Sequence, residues 1–491
     1  MKLKDVLEKV SLLSLNGKGE EDIRGIAYSS KNVRPGFLFA ALKGLKKDGL
    51  TFVEEALQKG AVAVLSDKPK PKNIDKSWIQ VSDTREALAL CSANFYSHPS
   101  QKIKVIGITG TKGKTTITYL LEAILRKSHF IPGVIGTISY RAPGMNVSAE
   151  RTTPEAPDLQ RMLNEMAIHG VTHCLMEVSS HALDLKRVVA IGFDIAVFTN
   201  LSGEHLDYHS SLEEYFAAKK KLFLLNNKKK MAVVNIDDHW GKKLLSQLST
   251  GTITYGLEQT AVIRGEDFDL TENGISLSVK YPAGTLPVSS PLLGKPNVYN
   301  ILASIAVALT LGLPAPAIKE ALASLQGVPG RFEPVKNSLG FSIFVDYAHT
   351  DDALRNLLET VQEFKPRRII LVIGAGGDRD KLKRPRMGKI AGNLADLTIL
   401  TSDNPRSEDP LAIISDIEDG IKKTGAQNYL ILPDREEAIE KALSLAQKGD
   451  YVLVAGKGHE NYQILKDKII PFNDSEVIRK ILKRKEADRK W

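Results

Sequence analysis

The sequence predicts a three-domain α/β protein built on parallel sheets. Short apolar runs alternate with helical patterns along most of the chain, the habit of strand, crossover and helix units. Nearly every apolar run also ends directly in a polar or glycine-rich motif. Ligands in open α/β sheets bind just there, beyond the carboxyl ends of the strands. At 491 residues the chain is too long for one ordinary core. Two to four domains of roughly 100–200 residues each are expected.

In chain order, residues 1–100 mix helical and strand patterns, with Ala61–Leu65 a buried strand after a helix around Phe52–Lys59. The polar, proline-bearing stretch Ser97–Gln101 is expected to be a linker. From 101 to 331 the pattern becomes strand, loop, helix, repeated. Its strands are Lys104–Ile108, Cys174–Val178, Ile195–Phe198 and Met231–Val234, and the first is followed by a helix over Ile117–Arg126. A second boundary falls in Gly327–Glu333. Residues 332–491 then carry four more apolar strands, Ser342–Val345, Ile369–Ile373, Leu397–Leu400 and Tyr451–Val454, which suggest another doubly wound domain.

Composition narrows the function. Hydrophobic residues make up 43% and charged residues 25%, as in a globular protein. The N-terminus, Met1–Asp5, has an early acid and no long apolar core, so it does not read as a signal peptide. No apolar run reaches the roughly 18 residues of a membrane span. The two cysteines, Cys91 and Cys174, have no metal-ligand spacing and suggest a reducing compartment, hence the cytoplasm. The net charge of +9 is spread along the chain without an arginine-rich or aromatic-interleaved stretch. That argues against nucleic acid and suits anionic small-molecule substrates.

The chemistry lies at the strand ends. Gly110-Thr111-Lys112-Gly113-Lys114-Thr115-Thr116 follows a strand and opens a helix, so backbone N–H groups and the helix dipole form an anion site. Lys114 would reach the β- and γ-phosphates of ATP, and the Thr115 hydroxyl would ligate Mg²⁺. Ile108 stands where the strict Walker A spelling has its first glycine. Glu177, at the end of an apolar strand, needs a partner or a metal, and as a hard oxygen ligand it suits Mg²⁺. His205 could join it, although alone it would more often be structural. Asp403-Asn404-Pro405-Arg406 combines a rigid turn with a planar fork for a carboxylate. With Arg379 and Glu460 it could hold an amino acid by its carboxylates and ammonium. The same residues would also suit a surface salt-bridge network. Lys219, in Ala218–Phe223, reads by spacing as one of three solvated helix lysines.

Together these motifs resemble the Mur ligases, which add amino acids to the UDP-linked peptidoglycan precursor of bacteria. The likeness rests on Thr109–Thr116, Glu177–His181 and Thr199–His209, and continues through Gly330–Glu333, Asp346–His349 and Gly456–Glu460 over nearly the whole chain. Asp403–Arg406 resembles the signature of the branch that adds meso-2,6-diaminopimelate to UDP-N-acetylmuramoyl-L-alanyl-D-glutamate. Lysine-adding relatives lack that arginine. The resemblance implies an N-terminal UDP-binding α/β domain, a central P-loop mononucleotide-binding ATPase domain and a C-terminal Rossmann-like domain. It implies a cytoplasmic, ATP- and Mg²⁺-using monomer in peptidoglycan synthesis, and so in cell wall biogenesis, cell shape and cell division.

It also implies residue roles. Ser30, Leu45, Lys46 and Lys47 would touch the uridine nucleotide, and Thr152, Thr153, Ser179 and Arg187 the muramoyl dipeptide. Residues 110–116 with Asn297, Asn300, Arg331, Asp346 and His349 would surround ATP. Lys114, Glu177, His205 and Lys219 would be catalytic. Lys219 matches a lysine carbamylated in the family, and with Thr115, Glu177 and His205 would ligate metal. Arg379, Asp403, Asn404, Pro405, Arg406, Gly456 and Glu460 would bind diaminopimelate. Leu185, Pro296 and Asp351 depart from common family spellings. Rival readings are a lysine-adding or folylpolyglutamate synthetase-like ligase and a non-catalytic nucleotide sensor.

Overall fold

The computed structural model describes residues 1–44, 47–204, 208–225, 228, 230–248 and 251–488. The chain divides into two compact units. One comprises Met1–Arg264, Lys280–Gly284 and Tyr299–Ala321, and the other Gly265–Val279, Thr285–Val298 and Leu322–Trp491.

The first unit opens with a five-stranded sheet in the order Leu12–Asn16, Ser77–Val81, Ala61–Ser66, Phe37–Ala40, Gly25–Ala27. Only Leu12–Asn16 runs antiparallel to its neighbour. Two apolar clusters form on this sheet, one around Leu38, Leu65, Ile79 and Leu88, the other around Phe39, Val53, Val64 and Trp78. Burial on both sides is why these strands read as continuous apolar runs. Ser97–Gln101 is not an extended linker. Pro99–Gln101 forms one 3-10 turn, Pro99 and Ser100 are buried, and Ser100 Oγ accepts from Gly192 N at 3.0 Å. Left-handed backbone at Ser97 and His98 turns the chain back onto the protein.

The central sheet of this unit has parallel strands in the order Thr252–Gly256, Met231–Asn235, Ile195–Phe198, Lys104–Thr109, His173–Glu177, Pro132–Ile135. Ser139–Ala142 and Met145–Ser148 extend one edge antiparallel. Lys104–Thr109 lies in the middle, with Ile108 in register with Glu177 on one side and Val197 on the other. Three strand ends therefore deliver their loops to one level. The helix Lys114–Lys127 buries Ile117, Leu120, Leu121, Ile124 and Leu125, the i, i+3, i+4, i+7 stripe of an amphipathic helix.

The strands Ile263–Thr271, Gly274–Tyr281 and Gly284–Ser290 lie beyond the strands that the sequence pattern predicts. Their residues alternate between buried and exposed and carry Glu266, Asp267 and Asp269, so they offer no apolar run.

The second unit contains a sheet in the order Glu333–Pro334, Ser342–Asp346, Asp450–Ala455, Arg368–Ile373, Leu397–Leu400, Tyr429–Ile431. All but Glu333–Pro334 are parallel. The last crossover of the sheet, through Arg435–Leu445, returns Asp450–Ala455 between Ser342–Asp346 and Arg368–Ile373. That reversal of strand order makes a topological switch point, the usual place for a ligand crevice. Helices Asp351–Glu363, Lys383–Leu394 and Pro410–Lys422 cover a core around Leu354, Leu371, Met387 and Ile417. Arg435–Leu445 and Asp474–Asp488 cover another around Ile370, Val452, Ile439 and Ile481. Among the described residues no helix is long and apolar enough to cross a membrane.

Candidate active site

The glycine loop is shaped by its neighbours. Gly110 has φ +146° and Gly113 has φ +90°, backbone that side chains rarely adopt. A Cβ at Gly110 would run into Thr199 Oγ1, and one at Gly113 into Asn300 Oδ1. The strand end Thr199–Ser202 pins the loop. Thr199 Oγ1 donates to Lys112 O at 2.7 Å, Thr111 N donates to Asn200 O at 2.8 Å, Lys112 N donates to Asn200 Oδ1 at 2.9 Å, and Ser202 N donates to Thr111 Oγ1 at 3.0 Å. Lys112 Nζ pairs with Glu204 at 2.7 Å. Gly113 immediately precedes the helix Lys114–Lys127, whose N-terminal end faces the loop. The half-buried Lys114 donates to the carbonyls of Gly110 and Thr111, both at 2.9 Å. Thr116 is buried on the first helical turn.

Lys219 is not a solvated lysine. It is 1% exposed, donates to Gly110 O at 2.9 Å, and lies 4.3 Å from the centre of the Tyr215 ring. Burial, aided by the Lys114 charge, pushes its ammonium well below the ordinary lysine range. Helical phase explains the placement: Lys219 falls on the buried stripe with Tyr215, Ala218 and Leu222.

Glu177 is also 1% exposed, with its carboxylate aimed at the loop. It accepts from Thr115 Oγ1 at 3.0 Å, Thr137 N at 2.9 Å and Thr137 Oγ1 at 2.8 Å. A hydroxyl and a carboxylate 3.0 Å apart beside a phosphate-type loop fit Mg²⁺, which commonly takes one or two protein oxygens and completes its shell with phosphates and water. Among the described residues no group of three His, Cys, Asp or Glu forms a ready-made metal site. His205 lies outside the described residues.

Thr152, Thr153, Ser179 and Arg187 come together beside Glu177. Thr152 Oγ1 is 3.1 Å from Thr137 Oγ1, Thr153 Oγ1 donates to Glu177 O at 2.8 Å, Ser179 N donates to Thr153 Oγ1 at 3.1 Å, and Arg187 donates to Thr153 O at 3.0 Å. Glu155 is buried at the centre of three guanidinium groups, 2.8 Å from Arg151, 2.8 Å from Arg187 and 3.8 Å from Arg85. This is an anion-attracting cluster with more positive than negative charge. Ser30 and Lys47 lie apart from it, after the carboxyl ends of Gly25–Ala27 and Phe37–Ala40. Ser30 Oγ donates to Glu55 at 2.8 Å and Lys47 sits 5.7 Å from the Phe52 ring centre. Leu45 and Lys46 are outside the described residues.

In the second unit, Asp403, Asn404 and Pro405 are buried and Arg406 has φ +54°. Arg406 donates to Gly377 O at 2.6 Å, and Asn404 donates to Glu460 at 2.7 Å. Gly456 has φ +113°, and a Cβ there would sit 2.9 Å from Asp403 Oδ2. Arg379 is exposed on the neighbouring loop and donates to Asp378 O at 3.3 Å. Near the end of Ser342–Asp346, Asp346 accepts from Phe332 N at 2.6 Å and Ala348 N at 2.8 Å, His349 Nδ1 is 2.8 Å from Tyr347 O, and Arg331 lies over the Tyr347 ring at 4.8 Å. Asn297 and Asn300 both lie on the helix Lys295–Thr310.

Family comparisons cover most of this chain. Residues 22–96 match the Mur ligase family catalytic domain, 108–308 the Mur ligase middle domain, and 330–458 the Mur ligase glutamate ligase domain. The chain belongs to the Mur ligase family. A relative from Caldanaerobacter subterraneus subsp. tengcongensis, named UDP-N-acetylmuramoyl-L-alanyl-D-glutamate--2,6-diaminopimelate ligase, is 46% identical over 486 residues, 99% of this chain and 100% of that protein. One of the same name from Solibacter usitatus is 45% identical over 466 residues, 94% of each chain. A solved structure of a ligase with that name aligns at TM-score 0.70 and 32% identity, covering 99% of both chains. The architecture is thus the three-domain α/β fold of the Mur ligases.

Three departures from common Mur ligase spellings are absorbed locally. Asp351 opens the helix Asp351–Glu363 and pairs with Arg386 at 2.9 Å. A carboxylate suits the positive end of the helix, just as proline suits a first turn that needs no N–H. Pro296 occupies the same kind of position in Lys295–Thr310. Leu185 caps the short helix Ser180–Asp184. Residues with no expected role that nonetheless hold these side chains in place are Thr137, Glu155, Thr199 and Asn200 in the first unit and Lys457 in the second.

Proposed function

We propose that this Mur ligase joins meso-2,6-diaminopimelate to UDP-N-acetylmuramoyl-L-alanyl-D-glutamate, consuming ATP, in peptidoglycan precursor synthesis. The observation that carries the amino-acid assignment is that the Arg406 fork, held by Gly377 O, follows directly on the buried Asp403 and Asn404, with Asn404 bonded to the half-buried Glu460. Diaminopimelate is lysine with one more carboxylate. An arginine fork beside an acidic cluster rewards a group carrying both a carboxylate and an ammonium. The names of full-length relatives support the same reading.

In this reading the domains span 1–100, 101–331 and 332–491, and serve the uridine nucleotide precursor, ATP and the amino acid in turn. The loop 110–116 holds the ATP phosphates, with Asn297, Asn300, Arg331, Asp346 and His349 contributing further contacts. Ser30, Leu45, Lys46 and Lys47 take the uridine nucleotide. Thr152, Thr153, Ser179 and Arg187 take the muramoyl dipeptide. The γ-phosphoryl group passes to the free D-glutamyl carboxylate, giving an acyl phosphate and ADP. The amine of diaminopimelate then attacks the acyl carbon, loses a proton, and phosphate leaves. Lys114 swings from the loop carbonyls to offset charge on the moving phosphoryl group. Mg²⁺ would be held by Thr115, Glu177, His205 and Lys219, and supplies charge neutralisation on the phosphate oxygens. Lys219 joins that set as N6-carboxylysine. Its low-pKa amine attacks CO₂ and loses a proton, leaving an anionic carbamate. The remaining task of Arg187, Arg379, Arg406, Gly456 and Glu460 is to position the substrates. The protein works as a monomer in the cytoplasm on small-molecule substrates.

Purified protein supplied with ATP and the UDP-dipeptide tests this against a panel of diaminopimelate, lysine and glutamate. Phosphate release that requires the dipeptide and is fastest with diaminopimelate is expected. Preference for glutamate would overturn the assignment, and preference for lysine would overturn the argument from Arg406. Phosphate release independent of both co-substrates would overturn the ligase reading.

A further inference from the structure

Lys457 is fully buried, which is costly for an ammonium unless it is paired. Its Nζ lies 3.1 Å from Glu460 Oε2, 3.3 Å from Asn404 Oδ1, 3.5 Å from Asp403 Oδ1 and 5.7 Å from the Tyr462 ring centre. Asn404 is locked as well, because its amide donates to Glu460 Oε2 at 2.7 Å while its Oδ1 accepts from Ile464 N at 2.8 Å. Asp403 Oδ1 is buried and makes no hydrogen bond, its nearest recorded charge being Lys457. The cluster therefore holds two carboxylates against one ammonium, and one carboxylate oxygen is left with hydrogen-bonding capacity. The left-handed glycine at 456 keeps the space beside Asp403 Oδ2 open.

We infer that Lys457 is the positioning residue of the amino-acid end of the site: it ties Asp403, Asn404 and Glu460 into one cluster of net negative charge that receives an ammonium of the incoming amino acid. This rests on the diaminopimelate reading above. Without Lys457 the two carboxylates would face each other across a dry cluster, and one would take up a proton. Glu460 is the one that would do so. Burial, then Asp403, already pushes its carboxyl above the ordinary range, while Lys457 and Asn404 hold it down. The other charged or titratable groups coupled to this cluster are Tyr347, Arg435, His459 and Tyr462. None of them replaces a direct Nζ contact to both carboxylates.

The test is steady-state kinetics on Lys457→Met and Lys457→Arg in the full chain, with each substrate varied in turn across pH 5.5–9. For Lys457→Met the KM for diaminopimelate should rise roughly tenfold or more, as expected for losing hydrogen bonds to charged groups. The KM values for ATP and the UDP-dipeptide should stay within about twofold. The rise should be steepest at low pH, with the acidic limb of the diaminopimelate KM profile moved to higher pH. Lys457→Arg keeps the charge and should leave that limb in place. An unchanged diaminopimelate KM, a parallel rise in all three KM values, or an unmoved limb in Lys457→Met would overturn the inference. If Lys457→Met does not fold, a limb moved upward in Lys457→Arg would overturn it and an unmoved limb would support it. A wild type that ignores diaminopimelate would overturn the underlying reading instead.

Discussion

Lys219 Nζ donates to the carbonyl oxygen of Gly110 at 2.9 Å, joining residues 109 positions apart in the chain. The contact places a buried amine of lowered basicity on the phosphate-binding loop. Replacing it by methionine removes a desolvated amine and keeps similar volume. The relief of that desolvation offsets the hydrogen bond lost at Gly110 O. Lys219→Met should therefore keep or slightly raise the melting temperature while turnover falls at least roughly 100-fold. Thermal melts and turnover measured on the same sample check both halves.

Lys114 spans from the first helical turn to the carbonyls of Gly110 and Thr111. Lys114→Ala should abolish turnover, because Lys112, the loop's other cation, is tied to Glu204 at 2.7 Å. Single-turnover phosphate release should drop by at least roughly 100-fold. Near-normal release would refute the assignment of the loop.

Arg406 is held in left-handed backbone with its guanidinium against Gly377 O. Arg406→Ala should raise the diaminopimelate KM by roughly 10- to 100-fold, the usual range for a charge-assisted contact. The ATP KM should barely move, and discrimination against lysine should shrink. Equal effects on both KM values would count against its role.

Glu408 accepts from the buried Arg384 through both oxygens, at 2.9 and 3.0 Å, and from Asp378 N at 2.6 Å. Arg384 holds the Glu408 carboxyl down at about 2, against an ordinary 4.5. Because the folded value is the lower one, the unfolded chain binds the proton first as pH falls. The stabilisation is complete above about 4.5 and is lost as pH drops towards 2. Glu408→Gln should melt at lower temperature than wild type at pH 7, and that difference should narrow below about pH 4.5. Melting curves from pH 7 to 3 provide the check.

Much of this was legible in the residues because the strands are buried on both faces. Val105–Ile108, Leu175–Met176 and Val452–Val454 are unbroken apolar runs, and each ends in a motif. Other features were hidden by different physics. Lys219 sits among three consecutive lysines, and only the helical phase set by Tyr215 and Leu222 marks it as the inward one. Glu155 has one local partner, Arg151, but its other two guanidinium neighbours, Arg85 and Arg187, lie far from it in sequence. The strands from Ile263 to Ser290 mix polar and apolar residues and offer no unbroken apolar run. Ser97–Gln101 has the composition of a linker, yet Ser100 and Pro99 are covered by packing that composition does not encode.

The clamp that Thr199 and Asn200 place on the glycine loop has a thermodynamic corollary. A loop that must be gathered around its ligand gives up conformational entropy at the moment of binding, and that loss weakens affinity. Here the backbone from Gly110 to Gly113 is already fixed by a neighbouring strand and by Lys219. Nucleotide capture can therefore be fast and nearly rigid, with its free energy spent on phosphate contacts rather than on ordering the chain.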